Sequence, residues 1–313
     1  MIRYIVKRLV FAIPTLLAVL TLVFVLVRIV PGDPAQTILG DQASQEALQA
    51  LRQRLGVDKP IFDQYVDFIK GALVGNWGES LVTGRPVLAE VWAVLPYTVD
   101  LTVAAILLGA LIGIPLGTWS ALHRNEAIDY ATRVISLLGL SFPAFVSGIL
   151  LLLAFAIELR WFPVISAGKL DDPVERLRNL TLPAINLGII MAAYVTRVTR
   201  SSMLEVLGED YIRTARAKGV PDRAVIWRHS LRNALIPVVT VVGLYLGILI
   251  GNSVLTEIVF NRPGLGKLIV GALNQRDYTM LQGLMVVYAF LIVAVNLITD
   301  LTYGFIDPRV KHG

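Results

Sequence analysis

Six stretches of this chain carry no charged residue: Leu9–Val27, Leu101–Leu122, Val134–Ile157, Leu180–Thr196, Ala234–Thr256 and Met280–Thr299. Each is 17 to 24 residues long, and roughly 20 apolar residues take a helix across the hydrocarbon core of a bilayer. In that solvent each backbone N–H and C=O must be satisfied internally, which leaves helices for apolar runs of this length. The expected fold class is therefore all-α, a polytopic membrane protein with six transmembrane helices. Composition agrees, with 56% hydrophobic and 16% charged residues, whereas soluble domains are typically about 45–50% apolar and about 25% charged.

The leader MIRYIVKRL precedes the first run, which Arg28 and PGDP follow. A secretory signal has an apolar core of about 7–15 residues and small residues for cleavage, so this run is expected to be a retained span. Fifteen Lys and Arg residues fall in the N-terminus, the second and fourth loops and the C-terminus, eight of them in the fourth loop; the longer first, third and fifth loops hold twelve. Excess positive charge marks cytoplasmic loops, so both termini and the fourth loop are expected inside. The same rule explains the net charge of +5 without nucleic acid.

The first outer loop, 30–95, is long enough to fold on itself. Ser44 can cap a helix with Ala47, Leu48, Leu51 and Leu55 on one face, and Gly56 can end it. Pro60 can start another carrying Tyr65, Phe68 and Ile69, and Pro86 to Leu95 reads as a third. Such helices suit a lid over the spans or an interfacial layer. Inside the spans, Pro14, Gly113, Pro115, Gly117, Gly139, Pro143, Gly148, Pro183, Gly243, Gly247 and Gly251 fit close helix packing, with Pro115 and Pro143 the candidates for a hinge.

Arg28, Asp100, Glu257 and Asp300 all lie within a turn or two of a span's end, so a proton or sodium relay has no mid-membrane seat. The deeper polar residues are Asn186, Asn252, Ser253, Thr256 and Asn296, which fit either a watered path or hydrogen bonding between helices. Gly264 to Lys267, GLGK, resembles part of a phosphate loop, but Asn261 stands where that pattern needs Gly and Leu268 where it needs Ser or Thr. There are no cysteines, and His123, His229 and His312 have no ligand spacing. No catalytic cluster stands out.

The basic stretch from Thr199 to Val239 is different. Its first helix is expected over about Met203 to Lys218, with Leu204, Leu207, Tyr211 and Ala215 on one face and Gly219 as its stop. Pro221 suits the start of a second helix bearing Ala224, Arg228, Leu231 and Leu235 on one side, with Arg223 and Arg232 around it. Such a loop can dock on a protein or lie on anionic lipid.

The segment EDYIRTARAKGVPDRAVIWRHSLRNALIPVV within it resembles the cytoplasmic loop of permease subunits of binding-protein-dependent ABC importers, in the dipeptide, oligopeptide and nickel branch. The resemblance covers nearly the whole chain. It includes the basic leader, PGDPA at Pro31 to Ala35, SFPAF at Ser141 to Phe145, FNRPGLGKL at Phe260 to Leu268, RDY at Arg276 to Tyr278 and DPR at Asp307 to Arg309. Arg213, Thr214 and Ala215 stand where the family's general motif has Glu-Ala-Ala, with Gly219 as its glycine.

The resemblance implies one permease domain over 1–313, with an outer helical loop at 30–95 and a cytoplasmic coupling loop at 199–236. It implies that Glu209 to Gly219 form a coupling helix, making Glu209, Asp210, Tyr211, Arg213, Thr214, Ala215, Lys218 and Gly219 the ATPase-coupling residues. Asn252, Ser253, Thr256, Glu257 and Asn261 are the candidates for the translocation path and its mouth. The implied partners are a homologous second permease, two cytoplasmic ATPases that carry ATP and Mg, an extracytoplasmic solute-binding protein and the bilayer. The chain itself would hold no cofactor or metal and perform no hydrolysis. Dipeptides or short peptides are the expected cargo, with glutathione and nickel chelates as alternatives in the same branch. The rival class is a self-sufficient channel or ion-coupled carrier.

Overall fold

The computed structural model describes residues 2–29, 34–40, 43–166 and 171–306. Pro31 to Asp33 of PGDPA, the terminal DPR and His312 lie outside them. The helices are α1 Ile2–Ile29, α2 Pro34–Leu39, α3 Gln45–Leu55, α4 Ile61–Val74, α5 Val87–Leu122, α6 Ala127–Ser141, α7 Ala144–Leu151, α8 Pro173–Leu207, α9 Asp210–Ala217, α10 Asp222–Ala224, α11 Leu231–Val259, α12 Leu265–Asn274 and α13 Tyr278–Ile306. Two π-helical segments are inserted, Leu152–Glu158 after α7 and Val225–Ser230 between α10 and α11.

Among the described residues five helices are long and apolar enough to cross a membrane, in α1, α5, α8, the run Asp222–Val259 and α13; the pair α6 and α7 makes a sixth if counted as one span. The expected span over Val134–Ile157 is broken within that pair, which bends by 100° at Pro143, one of the two hinge candidates. Pro143 cannot continue the hydrogen-bond ladder, and its ring drives the preceding residue out of the helical region. Phe142 accordingly sits at φ −82°, ψ 127°, and Pro143 is the N-cap of α7.

Two other boundaries differ from expectation. Pro86 to Leu95 is not a separate helix but leads into the 36-residue α5. Met203 to Leu207 close α8 rather than open the loop helix, since α8 ends at Gly208 and α9 starts afresh after Glu209.

The described chain forms two compact units. One comprises Tyr97–Gly266 with 298–306, the other Ile2–Pro96 with Lys267–Leu297. In the first, α5 meets α8 along Gly109, Gly113 and Gly117, one per turn. A Cβ on these would overlap Met191, Val195 and the Thr196–Thr199 turn, so the missing side chains set the close approach of the two backbones. Leu101, Leu187, Met191, Val195, Val238 and Leu249 are buried around this seam.

In the second unit α1 packs on α4 through Leu20 and Ala72, with Val286 of α13. Phe24 meets Tyr65 edge to face at 5.3 Å, and the Tyr65 hydroxyl lies 2.8 Å from that of Thr21. Ser44 caps α3 by accepting from Ala47 N, and Gly56 ends it at φ 64°. Asp277, the centre of RDY, caps α13 by accepting from Met280 N and takes a second hydrogen bond from Ser80 Oγ at 2.6 Å.

Candidate functional site

The basic loop is built around a helix of two turns. Glu209 is extended at φ −70°, ψ 145° and leads into α9. Ile212 is the buried residue of that helix, while Glu209, Asp210, Tyr211, Arg213, Thr214, Lys218 and Gly219 are exposed and Ala215 is half-buried. The apolar anchor is thus Ile212, not the face through Leu204, Leu207, Tyr211 and Ala215 that helical spacing suggested. Tyr211 is 43% exposed, its ring at the surface and its hydroxyl accepting from Asn233 Nδ2 at 2.8 Å.

Local chemistry keeps the helix short. Thr214 Oγ1 donates to the Asp210 carbonyl at 2.9 Å, and Arg213 pairs with Asp210 at 3.2 Å across one turn. Both partners of that pair are largely in solvent, where such contacts contribute little. Gly219 then takes φ +76°, the left-handed conformation that ends helices and that residues with a Cβ resist. Space is open around it, so the constraint there is backbone conformation rather than crowding. Arg216 reaches Asp222 at 3.5 Å across the reversal, and the buried Val225 begins the π-helical segment that feeds α11.

The helices leading into this loop are braced by a group that the sequence reading missed. Asp129 of α6 is fully buried and accepts from Arg200 Nε at 2.6 Å and Nη2 at 2.7 Å, a two-pronged charge-assisted contact. It also accepts from Ser120 Oγ at 2.6 Å and from Asn125 N at 3.0 Å. One carboxylate therefore joins the end of α5, the following turn, α6 and α8. A carboxylate in the first turn of α6 was the available signal, but its partner lies 71 residues away.

At the other end of α11 the proposed path residues are placed differently from expectation. Ser253, Thr256 and Glu257 are fully buried within the chain. Ser253 Oγ donates to Ile250 O. Thr256 Oγ1 accepts from Asn186 Nδ2 at 3.3 Å, and Asn186 Oδ1 accepts from Ser147 Oγ at 2.7 Å. For Asn186 and Thr256, hydrogen bonding between helices describes the structure. Asn252 is half-buried and Asn261 and Asn296 are exposed. Asn261, at φ 47°, is part of the turn rather than of a helix wall.

Glu257 has a definite structural task. Its Oε2 accepts from Gly266 N at 2.8 Å and its Oε1 from Thr98 Oγ1 at 2.6 Å, while Thr98 Oγ1 accepts from Leu265 N at 2.9 Å. Carboxylate and hydroxyl thereby satisfy the first N–H groups of α12. Gly264 lies so close to the Glu257 carboxylate that a Cβ would overlap it. This explains GLGK as a turn folded over a buried acid.

Arg262, 1% exposed, lies over the Tyr97 ring at 5.2 Å and 4.0 Å from Asp100. Burial lowers the pKa of its guanidinium, and the charges of Asp100 and then Glu257 oppose that shift. Asp100 itself is held by Arg176 through two hydrogen bonds of 2.7 and 2.5 Å.

Residues 113–312 match the family described as binding-protein-dependent transport system inner membrane component, and residues 1–102 match its N-terminal companion. The chain is 41% identical over 333 aligned positions to a dipeptide transport system permease protein of Alkalihalophilus pseudofirmus, covering all of both proteins. It is 40% identical to a di/tripeptide permease of Pseudomonas aeruginosa, covering 100% of this chain and 99% of that one. Identity to a glutathione transport system permease of Escherichia coli is also 40%, over the full length of both. In fold it is similar to a chain of the inward-facing MetNI methionine ABC transporter, with a TM-score of 0.56 and 20% identity over 67% of this chain and 93% of the other. The long apolar helices and the family match together place it in the bacterial inner membrane. The chain belongs to the binding-protein-dependent transport system inner membrane component family.

Proposed function

We propose that this chain is a permease subunit of an ATP-driven importer for dipeptides or short peptides delivered by an extracytoplasmic solute-binding protein. The observation that carries the reading is full-length identity of about 40% to peptide and glutathione permeases. In this reading α6 and α7 form one broken span, giving six, with both termini cytoplasmic. The helix α9, from Asp210 to Ala217 with its flanks Glu209, Lys218 and Gly219, seats in a groove on an ATPase subunit. ATP and Mg bind there and not on this chain. Its exposed surface and single buried anchor suit a rigid element that a partner pushes.

The helices α2, α3 and α4 form the outer platform for the binding protein. The side of α11 with open space at Gly247 and Gly251 and with Leu244 and Ile248 exposed packs on the homologous second permease. Asn252 and Asn261 remain as path residues, with Ser253, Thr256 and Glu257 reassigned to bracing. Reconstitution in liposomes tests the reading. Labelled dipeptide uptake is expected only with the second permease, both ATPases, the binding protein and ATP. Uptake by this chain alone would favour a channel or carrier. Glutathione is the second cargo, supported by the Escherichia coli relative, and displacement of labelled dipeptide by glutathione separates the two.

A further inference from the structure

The second unit contains a cavity of about 330 Å³, within the roughly 300–1,000 Å³ of small-ligand sites. Its polar lining is unlike a bilayer-facing groove. Four primary amides face it, from Gln53, Gln64, Asn76 and Gln282, beside Phe68 and Trp77. Gln64 is 9% exposed, and its Nε2 donates to Val57 O and Lys59 O at 3.2 and 2.7 Å. Its Oε1 is closed off from solvent and has no hydrogen-bond partner among the described residues.

Arg28 also lines the cavity. Its guanidinium lies over Phe24 at 5.4 Å, and it makes no ion pair among the described residues. The remaining charged lining is Lys59 with Asp67, already paired at 2.7 Å. Near neutral pH the lining is thus one cation in excess, with amides that both donate and accept.

We propose that this cavity is a peptide-binding site on the outer side of the permease, with Arg28 taking the C-terminal carboxylate and the amides of Gln53, Asn76 and Gln282 pairing with the peptide bond. A peptide bond presents one donor and one acceptor, which is what primary amides complement. Phe68 and Trp77 supply the apolar wall for a side chain. The proposal rests on the peptide-importer reading and adds a substrate site in the permease itself. A cation in the last turn of α1 also suits the helix dipole, a role indifferent to the chemistry of any peptide end.

The test is equilibrium binding of labelled alanyl-phenylalanine to the assembled permease–ATPase complex in nanodiscs without binding protein. Saturable binding is expected. It weakens about tenfold or more in Arg28→Gln, the scale of one charged hydrogen bond. Carboxamide-capped dipeptide should compete about tenfold less well than free dipeptide on the unmodified complex and equally well on Arg28→Gln. Asn76→Trp, an exposed change that fills the cavity, should abolish binding without touching Arg28. If the complete importer transports the dipeptide while this complex shows no saturable binding, or both variants bind unchanged, the cavity holds solvent only and the inference is overturned. If the complete importer transports no dipeptide, the peptide reading itself has failed.

Discussion

The two ends of α11 use the same charged and polar residue types in opposite ways. At its C-terminal end Glu257 and Arg262 are buried, and the Glu257 carboxylate is hydrogen-bonded between α5 and the start of α12. At its N-terminal side Asp210, Arg213 and Lys218 stand in solvent on a helix whose buried residue is Ile212. The helix between them has 29 residues, about 43 Å at 1.5 Å per residue. Where every charge is satisfied internally, the residues brace the fold. Where charges are left to solvent on a short rigid helix, they are available to a partner.

The sharpest way to break this contrast is to remove a braced charge. Asp129→Ala leaves Arg200 without its carboxylate inside the helix packing, and loss of one partner of a buried pair costs about 3–5 kcal/mol. Thermal unfolding of the purified subunit complex should show this, and an unchanged midpoint would mean that the pair is not a brace. Next is Gly264→Ala, whose methyl overlaps the Glu257 carboxylate. Overpacking of this kind costs about 1–3 kcal/mol. Combining it with Glu257→Ala should cost less than the two single changes together, because the groups touch; strict additivity would remove the contact from the account.

On the exposed side the expectation reverses. Ala215→Glu and Gly219→Asp should abolish uptake and uncouple ATP hydrolysis. Gly219→Asp should cost no more than the roughly 1–2 kcal/mol of a residue with a Cβ in a left-handed position, Ala215→Glu should cost less because Ala215 is a half-buried position inside α9, and assembly in the membrane should persist. Normal uptake by either purified complex would contradict a coupling role.

The smallest effect belongs to the surface pair of Lys59 and Asp67. The hydrogen bond from Lys59 and its charge lower the pKa of Asp67, and the same contact raises that of Lys59. A carboxylate with a lowered folded pKa contributes above its unfolded value and loses that contribution as pH falls through the folded one. Lys59→Met should therefore leave the unfolding midpoint at neutral pH unchanged within error, with any difference from the parent shrinking further in acid and in high salt. A large drop at neutral pH would show that this exposed pair braces the outer helices after all.

The spans were legible because hydrocarbon thickness sets a length that an uncharged run either meets or does not. Ser44, Gly56 and Gly219 were legible for a related reason, since each acts on its immediate neighbours. The break at Pro143 was legible from the same local rules, which made it a hinge candidate, although an uncharged run of 24 residues hid that it splits the span into two separate helices. The anchor Ile212 was missed because Met203 to Leu207 were placed in the wrong helix, which shifted the apolar face by a residue. Glu257 with Thr98 is a different kind of miss. Its partners are 159 residues apart, and no spacing in either segment distinguishes a buried cap from a residue at the mouth of a path.

The most direct test of the central claim, that α9 is the surface through which a partner drives this permease, uses the absence of cysteine from the chain. A single Cys in place of the exposed Lys218, in the assembled importer with reactive cysteines elsewhere removed, is offered a short thiol cross-linker to single cysteines on the ATPase. The account predicts a cross-link to the ATPase that depends on assembly, with loss of uptake once it forms and recovery on reduction. A Lys218 cysteine that stays open to a bulky maleimide in the complete, transporting complex and never joins the ATPase would contradict it.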